Sequence, residues 1–186
     1  MVSAHSQTTL AIAEDLYQLP DNARVELIRG ELIEMSPASF DHAWISQRIG
    51  RALGNFAEPD LGAVLGSSAG FILERNPDTL LEPDVSFVSA ERIPSDALRK
   101  RFPELAPDLV VEVLSPSERM VDVAKKVEIY LATGVQVVWV VDPQRKIVRV
   151  HTSGRTARVL RASAGDILDG GEVLPGFALP LADIFV

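Results

Sequence analysis

The chain has 186 residues, of which 47% are hydrophobic and 24% are charged, and its formal net charge is −8. This composition excludes intrinsic disorder, and the length fits a single domain over residues 1–186. The absence of cysteine excludes disulfides, thiolate metal sites and cysteine nucleophiles. No apolar run reaches the roughly 18 residues that span a bilayer, and no secretory signal is visible. We therefore expect a cytoplasmic protein without a membrane partner.

Apolar periodicity and turn residues predict the elements in chain order. They are a helix over 8–19, a hairpin over 25–35, a helix over 41–57, strands near 63–65 and 69–73, a strand opening at Asp84, a strand over 109–114, a helix over 118–132, a strand over 137–141, and then one or two hairpins and a short helix over 181–185. Thr8 or Thr9, Asp41 and Ser117 are the candidate helix caps. Glycine sits at the hairpin turn, Arg29-Gly30.

The centre of the chain has strand–helix–strand spacing. The strand over 109–114 is apolar on both faces, as expected of a central strand that is covered on both sides. It is followed by the helix over 118–132, which Gly134 ends, and by a second apolar strand. This order predicts two parallel neighbouring strands joined by a right-handed crossover. The fold class is therefore α/β, with helices flanking a central sheet and β-hairpins added to it.

Glu112 stands out because it lies in the middle of the apolar strand LVVEVL. An unpaired buried carboxylate is costly, so such a residue is usually neutralised, paired or bound to a metal. Asp84 opens another apolar strand. Two carboxylates on adjacent strands make a hard-oxygen site suited to Mg²⁺ or Mn²⁺. The alternatives are a buried salt bridge for Glu112 and an exposed strand end for Asp84.

Lys126 lies on the helix that follows the Glu112 strand. It is next to the apolar stripe, so its stem can lie against the sheet while its amine reaches the strand ends. The alternative is an exposed helical salt bridge with Asp122, four residues earlier. Lys125 is about 100° further around the helix and is expected to point to water.

Several blocks of the sequence resemble the Uma-two family of endonucleases, which belongs to the PD-(D/E)XK restriction-endonuclease-like group. The blocks are VELIRGELIEMSP, EPDVSFV, PDLVVEVLSPS, KxxxYLATGVQVVWVVDP and GEVLPGFALPLADIF, in this order along nearly the whole chain. The resemblance implies a restriction-endonuclease-like fold with a mixed central sheet. It also implies metal-dependent hydrolysis of phosphodiester bonds in nucleic acid, with DNA as the expected substrate, although the sequence does not separate DNA from RNA.

The resemblance assigns roles to particular residues. Asp84 and Glu112 match the motif acids that hold Mg²⁺, with the main-chain carbonyl of Val113 as a further ligand. The strict group pattern has lysine two residues after the second acid, where this chain has Leu114. Lys126 instead matches a lysine that comes from the following helix.

Two further residues are accessory candidates for the catalytic site. They are Glu31, in the hairpin, and His42, at the start of the first long helix. The alternatives are a strand-face carboxylate with a basic partner for Glu31 and a helix-cap partner or surface residue for His42. Glu26 occupies a similar place one hairpin arm earlier, and the sequence does not separate it from Glu31.

The net charge of −8 runs against nucleic-acid binding, which draws on phosphate neutralisation by basic residues. Two other functions therefore stay open. One is a catalytically silent interaction or nucleic-acid-binding module on the same fold, and the other is a metal-dependent hydrolase of a smaller substrate. Apolar strand edges in the tail predict a homodimer, because exposed edges invite pairing.

Overall fold

The computed structural model describes residues 10–20, 23–116 and 118–185. The strands are β1 Val25–Ile28, β2 Glu31–Glu34, β3 Gly62–Gly66, β4 Phe71–Glu74, β5 Thr79–Leu81, β6 Val85–Ser89, β7 Leu109–Val113, β8 Val137–Asp142, β9 Ile147–Thr152, β10 Arg158–Arg161, β11 Ile167–Gly170 and β12 Leu174–Pro180. The α-helices are α1 Phe40–Ala57, α2 Met120–Ala132 and α3 Leu181–Ile184. The predicted caps Thr8, Thr9 and Ser117 lie outside the described residues.

A mixed six-stranded sheet forms the centre of the molecule, in the order β10-β9-β8-β7-β6-β3. Strands β7 and β8 are parallel, from the pair Leu109↔Val137 to the pair Val113↔Val141, and α2 connects them. The other neighbouring strands of this sheet are antiparallel. The predicted strand–helix–strand unit and the α/β class with a mixed sheet are therefore confirmed.

Successive side chains of a strand point to opposite faces, and in β7 this alternation places Glu112. Leu109, Val111 and Val113 face the core that α1 covers. Val110 packs on the other face with residues of α2. Glu112 shares the face of Val110, and its side chain therefore meets α2 inside the protein.

A second, four-stranded sheet has the order β2-β1-β5-β4 and brings the N-terminal hairpin over the site. The predicted hairpin is confirmed as β1 and β2, with a turn at Arg29-Gly30. Strand β5 was not predicted, because three residues are too few to show alternation. It pairs with β1 through Leu27↔Leu80 and makes β1 an inner strand of the sheet.

The helix starts differ from the sequence-based expectation. The helix predicted over 8–19 is a 3₁₀ helix at Ala13–Gln18. The predicted cap Asp41 is wrong, because Ser39 has the extended backbone of an N-cap and its Oγ accepts a hydrogen bond from the His42 N–H. Helix α2 begins at Met120, two residues later than predicted. None of the helices in the described ranges has the length and apolar character needed to cross a membrane.

Candidate functional site

Five segments of the chain bring charged side chains together at one end of the central sheet. Glu112 comes from β7, Lys126 from α2, and Asp84 from the residue immediately before β6. Glu26 comes from the inner strand of the hairpin sheet, and His42 from the first turn of α1. These residues are far apart in sequence, so only the tertiary fold places them side by side.

The ammonium group of Lys126 lies between the carboxylates of Glu26 and Glu112. Its Nζ lies 2.9 Å from Oε1 and 2.7 Å from Oε2 of Glu26, and 3.8 Å from Oε2 of Glu112. All three residues are nearly inaccessible, with 7% of Lys126, 6% of Glu112 and none of Glu26 exposed. The alternative pair of Lys126 with Asp122 is not formed. Lys125 lies 3.7 Å from Asp122 instead, and it is exposed as predicted.

Burial and neighbouring charge oppose each other at Lys126. Burial alone lowers the pKa of a lysine, but the carboxylates of Glu112 and Glu26 outweigh it and leave the pKa of Lys126 raised. The ammonium is therefore protonated throughout the neutral range. A fixed positive charge in a water-poor site can stabilise negative charge that develops on a substrate.

Glu112 is held on both sides by α2. Tyr130, one helical turn after Lys126, donates from its hydroxyl to Glu112 Oε1 at 2.7 Å. Burial, together with the negative charges of Asp84 and Glu26, raises the pKa of Glu112 to about 8, against the lowering effects of Lys126 and the Tyr130 hydrogen bond. The sequence analysis did not identify Tyr130 as a residue of the site. The spacing KxxxY carried the signal, because residues i and i+4 share a helix face.

Asp84 is fixed by one main-chain and one side-chain contact to the same oxygen, Oδ2. The Val113 N–H donates to it at 2.7 Å, and His42 Nε2 lies 3.1 Å away. Burial lowers the pKa of His42, but the hydrogen bond and charge of Asp84 outweigh it, so the pKa is raised. The other ring nitrogen, Nδ1, is buried without a hydrogen-bond partner among the described residues.

The structure separates Glu26 from Glu31, which the sequence could not do. Glu26 is buried and contacts Lys126, whereas Glu31 lies exposed on the edge strand β2. The difference arises because β5 pairs with β1 and makes it the inner strand. Recognising β5 in the sequence would have pointed to Glu26.

Two cavities meet at these residues. The first, which we call the inner cavity, has a volume of about 440 Å³ and is lined by Glu26, Glu112 and Lys126 among others. The second, the outer groove, has a volume of about 1400 Å³ and runs along α1. Both are lined by Arg24, Ala38, His42, Ser67, Glu82 and Asp84. The charged cluster is therefore accessible to a ligand that extends from the groove into the cavity.

The sequence profile of a family described as "Putative restriction endonuclease", Uma2, matches residues 13–182. The chain belongs to the Uma2 family. A similar solved structure is that of a "putative nuclease belonging to DUF820" from Anabaena variabilis, with 21% sequence identity and a TM-score of 0.81. The likeness covers 94% of this chain and 97% of that chain, and it shows that the two share a fold. No curated protein shows significant similarity to this chain.

Restriction-endonuclease-like folds such as that of the Uma2 family imply a divalent metal. The side chains of the site must then include suitable ligands for this metal. Within the described ranges, no group of three or more His, Asp or Glu side chains is arranged to hold a metal ion. Asp84, just before β6, and Glu112, on β7, are two carboxylates at neighbouring positions of the sheet, because β6 and β7 are paired. This set fits a cation such as Mg²⁺, which takes one or two carboxylates and keeps several waters or substrate oxygens.

Proposed function

We propose that the protein is a metal-dependent endonuclease that hydrolyses phosphodiester bonds of nucleic acid. The observation that carries this proposal is the buried ammonium of Lys126, held 3.8 Å from Glu112 at the end of the sheet where Asp84 also lies. A permanent cation beside two acids matches the charges of a phosphodiester reaction, in which negative charge builds up on phosphate oxygens. Membership of the Uma2 family supports the same reaction class.

Asp84 and Glu112 would hold Mg²⁺ or Mn²⁺, with the main-chain carbonyl of Val113 as a further ligand. When bound, such an ion lowers the pKa of a coordinated water and neutralises charge on phosphate. The protein fixes both acids before any ligand arrives. Tyr130 holds one oxygen of Glu112, and the Val113 N–H and His42 hold one oxygen of Asp84. Glu112 Oε2 is the oxygen that faces Lys126.

Lys126 would contact the scissile phosphate as a hydrogen-bond donor and electrostatic stabiliser. Its raised pKa makes it a poor general base. Glu26 positions the ammonium through both of its oxygens and does not itself face the phosphate in this role. His42 would orient Asp84, and Glu31 would act only at the rim of the inner cavity, because it is exposed on β2.

The test is cleavage of plasmid DNA, single-stranded DNA and RNA with Mg²⁺ or Mn²⁺, compared with EDTA. We expect metal-dependent cutting that falls by at least about a thousandfold in Asp84→Asn and Glu112→Gln, a size typical of lost transition-state contacts. Glu128→Gln, at an exposed position of the same helix as Lys126, is the matched control and should cut normally. Equal cutting by Glu112→Gln and the wild type would disprove the assignment. A folded protein that cuts none of these polymers would favour a smaller substrate or a silent module.

A further inference from the structure

The reactive groups are buried in the lining of the inner cavity, so a substrate has to reach into this cavity. Lys126 and Glu112 are more than nine-tenths buried and both line the inner cavity. A base-paired nucleotide has its base stacked inside the duplex and its phosphate on the backbone of a stiff double helix. Enzymes that take a base into a pocket therefore act on single strands or extrude the nucleotide.

The inner cavity has two chemically different sides. Ile28, Ile33 and Met35 give it an apolar wall from the hairpin, which is suited to the face of a base. Acidic residues outnumber basic ones in the rest of its lining, so a phosphate is repelled unless a cation accompanies it. Carboxylates do, however, accept hydrogen bonds from the exocyclic amino groups of bases. A volume of about 440 Å³ lies within the usual range for small-molecule pockets.

The outer groove provides the path for the rest of the strand. On α1 the small residues Ala43, Ser46, Gly50 and Gly54 face it, between the longer side chains of Gln47, Arg51 and Asn55. Gly54 lies in the last turn of α1, and a Cβ added there would meet no atom within 4 Å. Packing therefore does not require this glycine, and a ligand in the groove can approach the helix backbone closely there. Arg51 lines the same groove and can contact a phosphate.

We propose that the substrate is an unpaired nucleic-acid strand, with one nucleotide base in the inner cavity and the neighbouring nucleotides along the outer groove. This inference rests on the proposed nuclease function and names its substrate class. His42 stands where the two cavities meet, and its buried Nδ1 lacks a partner among the described residues. The backbone of the strand passes His42 and Asp84, which line both cavities, on its way between them.

The first experiment measures binding to a fluorescent single strand, its blunt duplex, and the same duplex with a short unpaired gap, in Ca²⁺ without turnover. We expect the single strand and the gapped duplex to bind at least about tenfold more tightly than the blunt duplex, since only unpaired bases can leave the stack. With Mg²⁺, cuts should map to the unpaired positions. Equal or tighter binding of the blunt duplex would overturn the proposal.

A substitution in the groove tests the path of the strand. Gly54→Gln puts a long side chain into the groove and replaces glycine with a better helix former, so it should raise the melting temperature by about 2–4 °C. The same variant should bind the single strand about tenfold more weakly, because the side chain obstructs the strand. Ala124→Gln places the same side chain at an exposed position of α2 outside both cavities and should leave strand binding unchanged. Unchanged binding by Gly54→Gln would contradict the path.

The outcomes separate this inference from the nuclease proposal. Metal-dependent cutting that Glu112→Gln abolishes, without preference for unpaired strands, would keep the nuclease and reject the inference. Tight binding of single strands without any cutting would keep the inference and reject the nuclease. Failure to bind any of the three probes would reject both.

Discussion

Lys126 and Glu26 form a buried ion pair at 2.7 Å, and its two members depend on each other. Removing the ammonium leaves the Glu26 carboxylate buried without a counter-charge, which costs about 3–5 kcal/mol in comparable pairs. We expect Lys126→Met to lower the free energy of unfolding by about this amount and to abolish cleavage. Urea unfolding and a cleavage assay on the same preparation measure the two effects. Lys125→Met, at the exposed neighbour, should stay within about 0.5 kcal/mol of the wild type.

The double variant Glu26→Gln/Lys126→Met separates stability from chemistry. With both charges removed, the remaining buried acid is Glu112, which can stay protonated at neutral pH because its pKa is raised, and most of the lost stability should return. Cleavage should not return, because the phosphate still lacks its cation. A double variant that is stable and active would show that Lys126 serves only to neutralise Glu26.

The raised pKa of Glu112 predicts how cation binding responds to pH. Below about pH 8 the carboxyl of the metal-free protein holds a proton that a divalent cation must displace. The affinity for Mn²⁺ should therefore rise with pH, by up to about tenfold per unit between pH 6 and 8, and level off above that range. Calorimetry in buffers of different ionisation enthalpy should detect the released proton.

Tyr130→Phe is the informative variant for this pH response. The Tyr130 hydroxyl lowers the pKa of Glu112, and without it the rise in Mn²⁺ affinity should move to higher pH. A pH-independent affinity in the wild type would exclude Glu112 from the cation site.

At the scale of elements, the hairpin of β1 and β2 presents Glu26 and depends on its glycine turn. Gly30 has a φ of 81°, and a Cβ there would lie 2.6 Å from Cβ of Leu10. Gly154 has a φ of 69° with open space around it. Gly30→Ala should therefore cost about 2 kcal/mol or more and Gly154→Ala about 1 kcal/mol, since only the first adds a clash to the backbone strain. Urea unfolding measures both, and equal losses would contradict the clash.

The elements also show why the sequence predicted part of the site and not all of it. Glu112 and Lys126 belong to the unit β7-α2-β8, whose apolar strands and helical periodicity are local patterns. This unit was predicted, with the start of its helix two residues too early. The choice between Glu26 and Glu31 depends on β5, a strand of three residues whose pairing with β1 is not local. The contact of Lys126 with Glu26 joins residues 100 positions apart, so no spacing rule reports it.

At the scale of the whole molecule, the net charge of −8 disfavours binding to nucleic-acid phosphates. The homodimer predicted from apolar strand edges in the tail stays a prediction. The exposed residues Leu32 and Ile33 add a further apolar edge at β2.

The basic side chains that line the outer groove are Arg24 and Arg51. Binding should therefore rely on bases more than on phosphates.

The salt dependence of strand binding measures this balance directly. Each phosphate neutralised on a single strand contributes about −0.7 to the slope of log K against log salt, so the two arginines together with Lys126 predict a slope of about −2. Arg51→Ala should flatten the slope by about 0.7 at fixed Ca²⁺. Arg155→Ala, in the turn between β9 and β10 at the far edge of the sheet from β3, should not change it. A much steeper wild-type slope would show that the strand lies on a basic surface elsewhere, because an acidic groove with two arginines cannot release that many counterions.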